Sequence, residues 1–544
     1  MRTILRILLF ITLCFSFANL AFADEGVNGN LVTVKWLEKN LNRPDLVLLD
    51  ASLAPAYAKE HIPGAINFDL FTYGVQTPPL SVIEKRYQSW GISPGKKIVI
   101  YDQGGSYLAT RLFFSFDYHG FPTKDIFVLD GGLSKWKEAG LQVTKDVPSP
   151  PKPGTFKIEI NKNVRVDLPE FLTASGDPVN NALVEALDPD WHYGGISFFA
   201  RPGHPPNSIM LPSGDFFNPD KTFKSADEIR KMVTYLGIKP EQQIHSFCGG
   251  GIAASVPYFA IKYMLNYPKV KLFPGSELEW LSDPRDLPFF TYDFPLMLRD
   301  SQWLQFWNGQ RARMYGISDV SVIDVRQAEA FNQGHLPFAL NIPADVFRTS
   351  LNNPSKLAEI LGPAGINASH EAVLISGAGL TPDSALAFVA LETLGQKKTS
   401  VFIDSMDKWT QKGQQLTKDA TVVGPRQPTQ PLAIPPATYP VKLRDGILIK
   451  DARSTQGVFP KVFIASGKTL PTKQQEGKIV HVPYTDLLNA DGTPKAANDI
   501  WNVLMKAGVP RYAELVCVAD DPGEAAVNYF ILKLMGFPDI KMMI

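Results

Sequence analysis

One cysteine stands in a setting that could make it react. Cys248 is preceded by the apolar run Ile244-His245-Ser246-Phe247 and followed by Gly249, Gly250, Gly251, Ile252, Ala253 and Ala254. Successive glycines admit positive φ and carry no side chain, so the backbone can curl with its N–H groups turned inward as an anion nest. The apolar stretch at 256–264 predicts a helix, whose first turn adds partial positive charge at the same place. Both effects favour a thiolate over a thiol, and the thiolate is the nucleophile. The same donors would hold a sulfur anion on the cysteine or the oxyanion of an incoming molecule. The plainer reading of these residues is a buried, inert cysteine beside a loop that is glycine-rich for tight packing.

The other cysteines are Cys14 and Cys517. Cys14 lies in a segment with Arg2 and Arg6, an apolar run at 7–17, and Ala21-Phe22-Ala23 ahead of Asp24-Glu25. This is the pattern of a cleaved secretory signal over residues 1–23, and it predicts a periplasmic or secreted protein. Two remaining cysteines exclude a disulfide scaffold. Cys517 sits inside the strand-like run Leu515-Val516-Cys517-Val518 and is expected to be a buried, unreactive thiol. No later stretch is long and apolar enough to span a bilayer.

The elements that must position Cys248 recur along the chain. An apolar strand ending in Asp is read at 46–50, 186–188, 322–324 and 448–451. A His-x-Pro turn follows at His61, His204 and His335, with a degenerate form at 477–480. A second apolar strand then runs into a loop and helix, ending at Asp102, Cys248, Ser376 and about Ala519. A third strand and a small-residue turn lead to Trp136, Trp280 and Trp409 in three of the copies. The intervals between these landmarks agree to within a few residues from copy to copy, which marks an internal repeat.

The 544 residues predict about three to five domains. With 45% hydrophobic and 20% charged residues the chain has apolar material for several cores, which excludes disorder and fibrous repeats. Lys and Arg (54) balance Asp and Glu (54), so no global basic field exists to draw nucleic acid. Proline-rich stretches at 147–154, 283–285 and 423–440 separate the copies. Strands alternating with amphipathic segments such as 226–235 predict an α/β fold with parallel sheets and helices on both faces. Ligands in such folds gather at the carboxyl ends of the strands, where Cys248 stands.

At these residues the chain resembles the rhodanese family of sulfurtransferases. The likeness is carried by the turn His61-Ile62-Pro63-Gly64-Ala65, by Leu129-Asp130-Gly131-Gly132-Leu133-Ser134-Lys135-Trp136, and by the Cys248 loop. It implies four rhodanese-like domains: 27–145 (inactive), 165–292 (catalytic), 298–418 (inactive) and 437–544 (degenerate). The first two resemble the tandem thiosulfate and 3-mercaptopyruvate sulfurtransferases, in which the second domain supplies the cysteine. The implied chemistry is a persulfide relay without metal or cofactor. Cys248 takes the outer sulfur of a small-molecule donor, the N–H groups of Gly249, Gly250, Gly251, Ile252 and Ala253 cradle it, and a thiol, a cyanide-like acceptor or a protein receives it. Arg201 matches an arginine that family members place near the donor's anionic group.

Departures from the family pattern leave the donor open between thiosulfate and 3-mercaptopyruvate. Gly249-Gly250 stand where thiosulfate-preferring members carry basic residues, and Asp188-Pro189-Asp190 lacks the arginine of an Asp-x-Arg signature. Phosphatase and arsenate reductase loops are one residue longer and end in Arg, where this chain has Ala254. A third reading is a carrier that holds sulfur, or a selenium analogue, without turnover. The recurring histidines are read as turn-fixing groups, and the Asp102 and Ser376 loops as inactive. The stretch from Gly105 to Arg111 is similar to the inactive-domain loop of tandem members. Trp191, Phe198 and Phe199 are candidates to wall the site from water.

Overall fold

The computed structural model describes residues 26–71, 78–197, 200–472 and 477–544. The expected signal segment and the pair Phe198-Phe199 lie outside these residues. Among the described residues no helix is long and apolar enough to cross a membrane. The described residues divide into two compact units: those within 26–188, 207–230 and 238–287 form one, and those within 189–206, 231–237 and 288–544 the other.

Two sheets belong to the first unit. The larger runs in spatial order Val27–Asn28, Leu31–Val32, Ile126–Leu129, Lys97–Tyr101, Leu46–Asp50 and Ile66–Asn67. Its first pair is antiparallel and the rest are parallel. The smaller runs Val270–Leu272, Gln243–Phe247, Asn181–Glu185 and Ser208–Met210, all parallel. The second unit repeats the winding twice. One sheet has Leu298–Arg299, Lys398–Phe402, Glu371–Ile375, Val320–Asp324 and Leu340–Asn341; the other has Leu448–Ile449, Ile540–Met543, Glu514–Val518, Lys461–Ala465 and Lys478–His481. Both are parallel throughout. Central strands such as Val320–Asp324 and Glu514–Val518 are buried along their whole length, as parallel strands covered on both faces must be. The α/β architecture of several parallel sheets flanked by helices is as the sequence predicts.

The four sheets share a related strand order, and in two of them the register differs from the sequence reading. The first central strand of the second copy is Asn181–Glu185, so the carboxyl group ending it belongs to Glu185 and not to Asp188, which lies beyond the strand. Polar Asn181 and acidic Glu185 flanking only Ala182-Leu183-Val184 conceal that strand from a hydrophobicity pattern. In the fourth copy Leu448–Ile449 is an edge strand beside Ile540–Met543, and the matching central strand is Lys461–Ala465. The segment read as a degenerate turn there forms the strand Lys478–His481.

Other elements form where expected. The helix Ala226–Tyr235 carries the stated bounds. The helix after the Cys248 loop is α-helical over Ser255–Phe259 and widens to a π-helix over Ala260–Met264. His61 is buried, its Nδ1 2.8 Å from Tyr57 O and its Nε2 3.2 Å from Asp146 O. His335 repeats this with Phe331 O at 3.0 Å and Asp419 O at 3.2 Å, and His204 Nδ1 lies 3.0 Å from His192 O. Each ring also stacks on an aromatic neighbour, at 3.8, 3.7 and 3.7 Å for Tyr57, Phe331 and His192. These contacts tie the turn to its preceding segment. Cys517 is wholly buried as a free thiol, and desolvation pushes its pKa up, which suppresses the thiolate.

Candidate functional site

Cys248 directly follows the strand Gln243–Phe247, at the carboxyl edge of its sheet, and is 3% exposed. The loop curls back on it: the Gly251 N–H donates to Cys248 Sγ at 3.1 Å. Gly251 makes this possible by taking φ +78°, and a Cβ there would lie 2.4 Å from Pro274 O. Gly250 meets nothing within 4 Å in the Cβ direction, so no close approach requires a glycine there. Of Gly249, Gly250, Gly251, Ile252 and Ala253, Gly251 alone has its N–H in hydrogen-bond contact with the sulfur among the described residues.

The back of the loop is held by the third-strand turn. The Cys248 N–H donates to Ser276 Oγ at 3.1 Å, and that hydroxyl donates to Phe273 O at 2.8 Å. Ser276 has φ +50°, a left-handed conformation that costs an L-residue on the order of 1–2 kcal/mol and persists where surrounding contacts enforce it. The next residue, Glu277, donates its N–H to Cys248 O at 3.1 Å. In the first copy Leu133 makes the same backbone bond to Asp102 O at 2.8 Å. Leu133 and Glu277 therefore occupy one structural position, and an apolar core residue in the first copy is replaced by an acid beside Cys248.

Glu277 is 2% exposed, and its carboxyl group lies within interaction range of that of Glu185, which is fully buried at the end of Asn181–Glu185. Desolvation pushes Glu277 far above the usual carboxylate range, with further contributions from Glu185 and from Cys248. Sequence reasoning did not find this pair. The available signal was the acid in Gly275-Ser276-Glu277-Leu278-Glu279-Trp280 at the place of Leu133.

The first copy completes the surroundings. The helix Leu108–Tyr118 packs against Ser255–Phe259, and Thr110 Oγ1 lies 2.8 Å from Ser255 Oγ. Arg111 on that helix donates to Ser115 Oγ at 2.7 Å and lies over the Phe114 ring. Burial lowers its pKa to about 10; Tyr87 and Cys248 are the groups that favour its charge, so a cation lies within electrostatic reach of the sulfur. Arg201 falls in the second unit, where its guanidinium lies 5.8 Å from the Phe289 ring centroid.

The loops of other copies are filled by their own side chains. Asp102, at the position of Cys248, accepts from the N–H groups of Gly104 at 2.8 Å and Ala109 at 2.9 Å. A carboxylate tethered to the backbone thus occupies the nest that an external anion would need. Ser376 donates to Gly379 O at 2.7 Å in the third copy. The missing arginine of the second copy stays missing after the register correction, because Leu187 follows Glu185 by two; the third copy has the full arrangement, with Arg326 on Asp324 at 2.7 Å.

The family model of the rhodanese-like domain matches residues 33–139 and 310–412, the first and third copies. The sulfur carrier protein TtuD of Thermus thermophilus is 32% identical over 268 residues, covering 93% of that protein and 46% of this chain. A probable 3-mercaptopyruvate sulfurtransferase of Pseudomonas aeruginosa is 27% identical over 279 residues, covering 97% of that protein and 47% of this chain. A putative thiosulfate sulfurtransferase of Synechococcus elongatus is 29% identical over 279 residues, covering 85% of that protein and 48% of this chain. Each relative spans less than half of this chain. Relatives named for carrying or transferring sulfur, together with the matched domain model, show that the chain belongs to the rhodanese-like family.

Proposed function

We propose that the protein is an exported sulfurtransferase in which Cys248 holds the travelling sulfur as a persulfide. The observation that carries this reading is the Cys248 loop itself, with a backbone N–H aimed at Sγ and the thiol at the carboxyl edge of a parallel sheet. Cys248 thiolate attacks the sulfane sulfur of thiosulfate; a new S–S bond forms, the old one breaks, and sulfite leaves with the electron pair. An acceptor thiolate then attacks the outer sulfur of the persulfide, and Cys248 leaves as thiolate. A pocket short of basic side chains in the loop suits a less highly charged donor such as 3-mercaptopyruvate equally well. The name of the Thermus relative supports a second reading, a sulfur carrier that loads once and hands its cargo to a partner.

Intact mass after incubation with thiosulfate or 3-mercaptopyruvate tests the relay. Wild type is expected to gain the mass of one sulfur and Cys248→Ser none. Equal gain by both would remove Cys248 from the chemistry. Repeated release to cyanide or a small thiol marks an enzyme, and a single discharge marks a carrier.

A further inference from the structure

Glu185 and Glu277 are both buried and close enough to act on each other, and the Glu277 N–H is bonded to the carbonyl of Cys248, the thiol that the reading above makes the sulfur carrier. Glu277 Oε1 is buried without a hydrogen-bond partner. An apolar residue fills the same position in the first copy, where no cysteine is present, so packing alone does not call for an acid there. Two like charges held together in low dielectric retain a shared proton, and the negative charge of Cys248 opposes its loss further.

We propose that the Glu185–Glu277 pair stores one proton for the leaving group of the sulfur donor, with Glu277 as its donor, and so selects for donors whose carbon–sulfur bond is broken. This rests on the Cys248 relay and extends it. With 3-mercaptopyruvate, Cys248 thiolate attacks the thiol sulfur and an S–S bond forms. The S–C bond breaks with its electron pair passing to the methylene carbon, and the resulting enolate takes the Glu277 proton to become pyruvate. The persulfide S–H, more acidic than a thiol, then returns its proton to the pair. Atoms and charge balance, and no oxidant or reductant is consumed. Thiosulfate has no such need, since sulfite departs as a stable anion.

The test is single-turnover persulfide loading of the full chain, wild type against Glu277→Gln, with each donor in turn. Gln keeps the size but has no acidic proton. The ratio of the 3-mercaptopyruvate rate to the thiosulfate rate is expected to fall by about 100-fold, the lower range for loss of a general acid. An unchanged ratio, whether both rates hold or both fall together, would overturn the proposal, and the thiosulfate arm reports folding. Wild-type loading by thiosulfate alone would also overturn it while leaving the relay standing; loading by neither donor would overturn both.

Discussion

At the scale of single residues, the Cys248 loop depends on one glycine more than on the others. Gly251 combines φ +78° with a close approach to Pro274 O, whereas the space off Gly250 is open. Gly251→Ala is therefore expected to lose at least about 1–2 kcal/mol from the left-handed backbone alone and to withdraw the N–H from Sγ. Gly250→Ala is expected to stay within about 0.5 kcal/mol of wild type, as a Cβ in open space does. Denaturant midpoints of the two variants would measure this, and equal midpoints would refute it. The glycine run in the sequence identified the loop, but it did not distinguish a glycine that is sterically required from one that leaves room. That difference lies in Pro274, contributed by the following strand and turn. Glu277 teaches the same lesson, because a single acid in a Trp-containing segment reads as surface charge until Glu185 is found against it.

At the scale of elements, each unit is joined by a helix pair with a buried acid at its centre. In the first unit Asp117 accepts from Tyr258 at 2.5 Å, from Tyr263, and from Asn161 Nδ2 at 3.2 Å. In the second, Glu392 on Pro382–Leu394 accepts from Lys533 at 2.6 Å and Tyr529 at 3.1 Å on Pro522–Leu534. A buried carboxylate is tolerated because several donors replace its hydration. Tyr258→Phe removes one donor and is expected to cost about 1.5–3 kcal/mol of stability in urea unfolding. A loss below about 0.5 kcal/mol would show that the remaining donors suffice. The helices themselves were legible as apolar segments after a strand and loop. Their pairing was not, since nothing local tells Asp117 and Glu392 from solvated acids.

At the scale of the whole molecule, acid sensitivity follows from histidines buried as neutral rings. Burial lowers His119 to about 4, with Arg111 next in effect, and lowers His245 to about 4, with Lys271 adding. Unfolded histidine takes its proton near the ordinary value of about 6.5, so between pH 6.5 and 4 the unfolded chain binds more protons than the folded one. Stability contributed by these rings is thus present above pH 6.5 and lost as pH falls toward 4, on the order of 2–3 kcal/mol for each ring. Thermal melting at pH 7 and pH 4.5 is expected to show a smaller shift in a His119→Phe, His245→Phe double variant than in wild type; an equal shift would exclude these two residues. From the sequence by itself came the α/β class, the repeated strand, turn and loop order, the tethered histidines and the sealed Cys517, because each depends on patterns carried within a few tens of residues. The sheets moved two strand assignments, placed Arg201 in the second unit, and paired Glu185 with Glu277. Only tertiary structure decided these, since strand register and the charge of a buried acid are set by neighbours that are distant along the chain and invisible to local hydrophobic period.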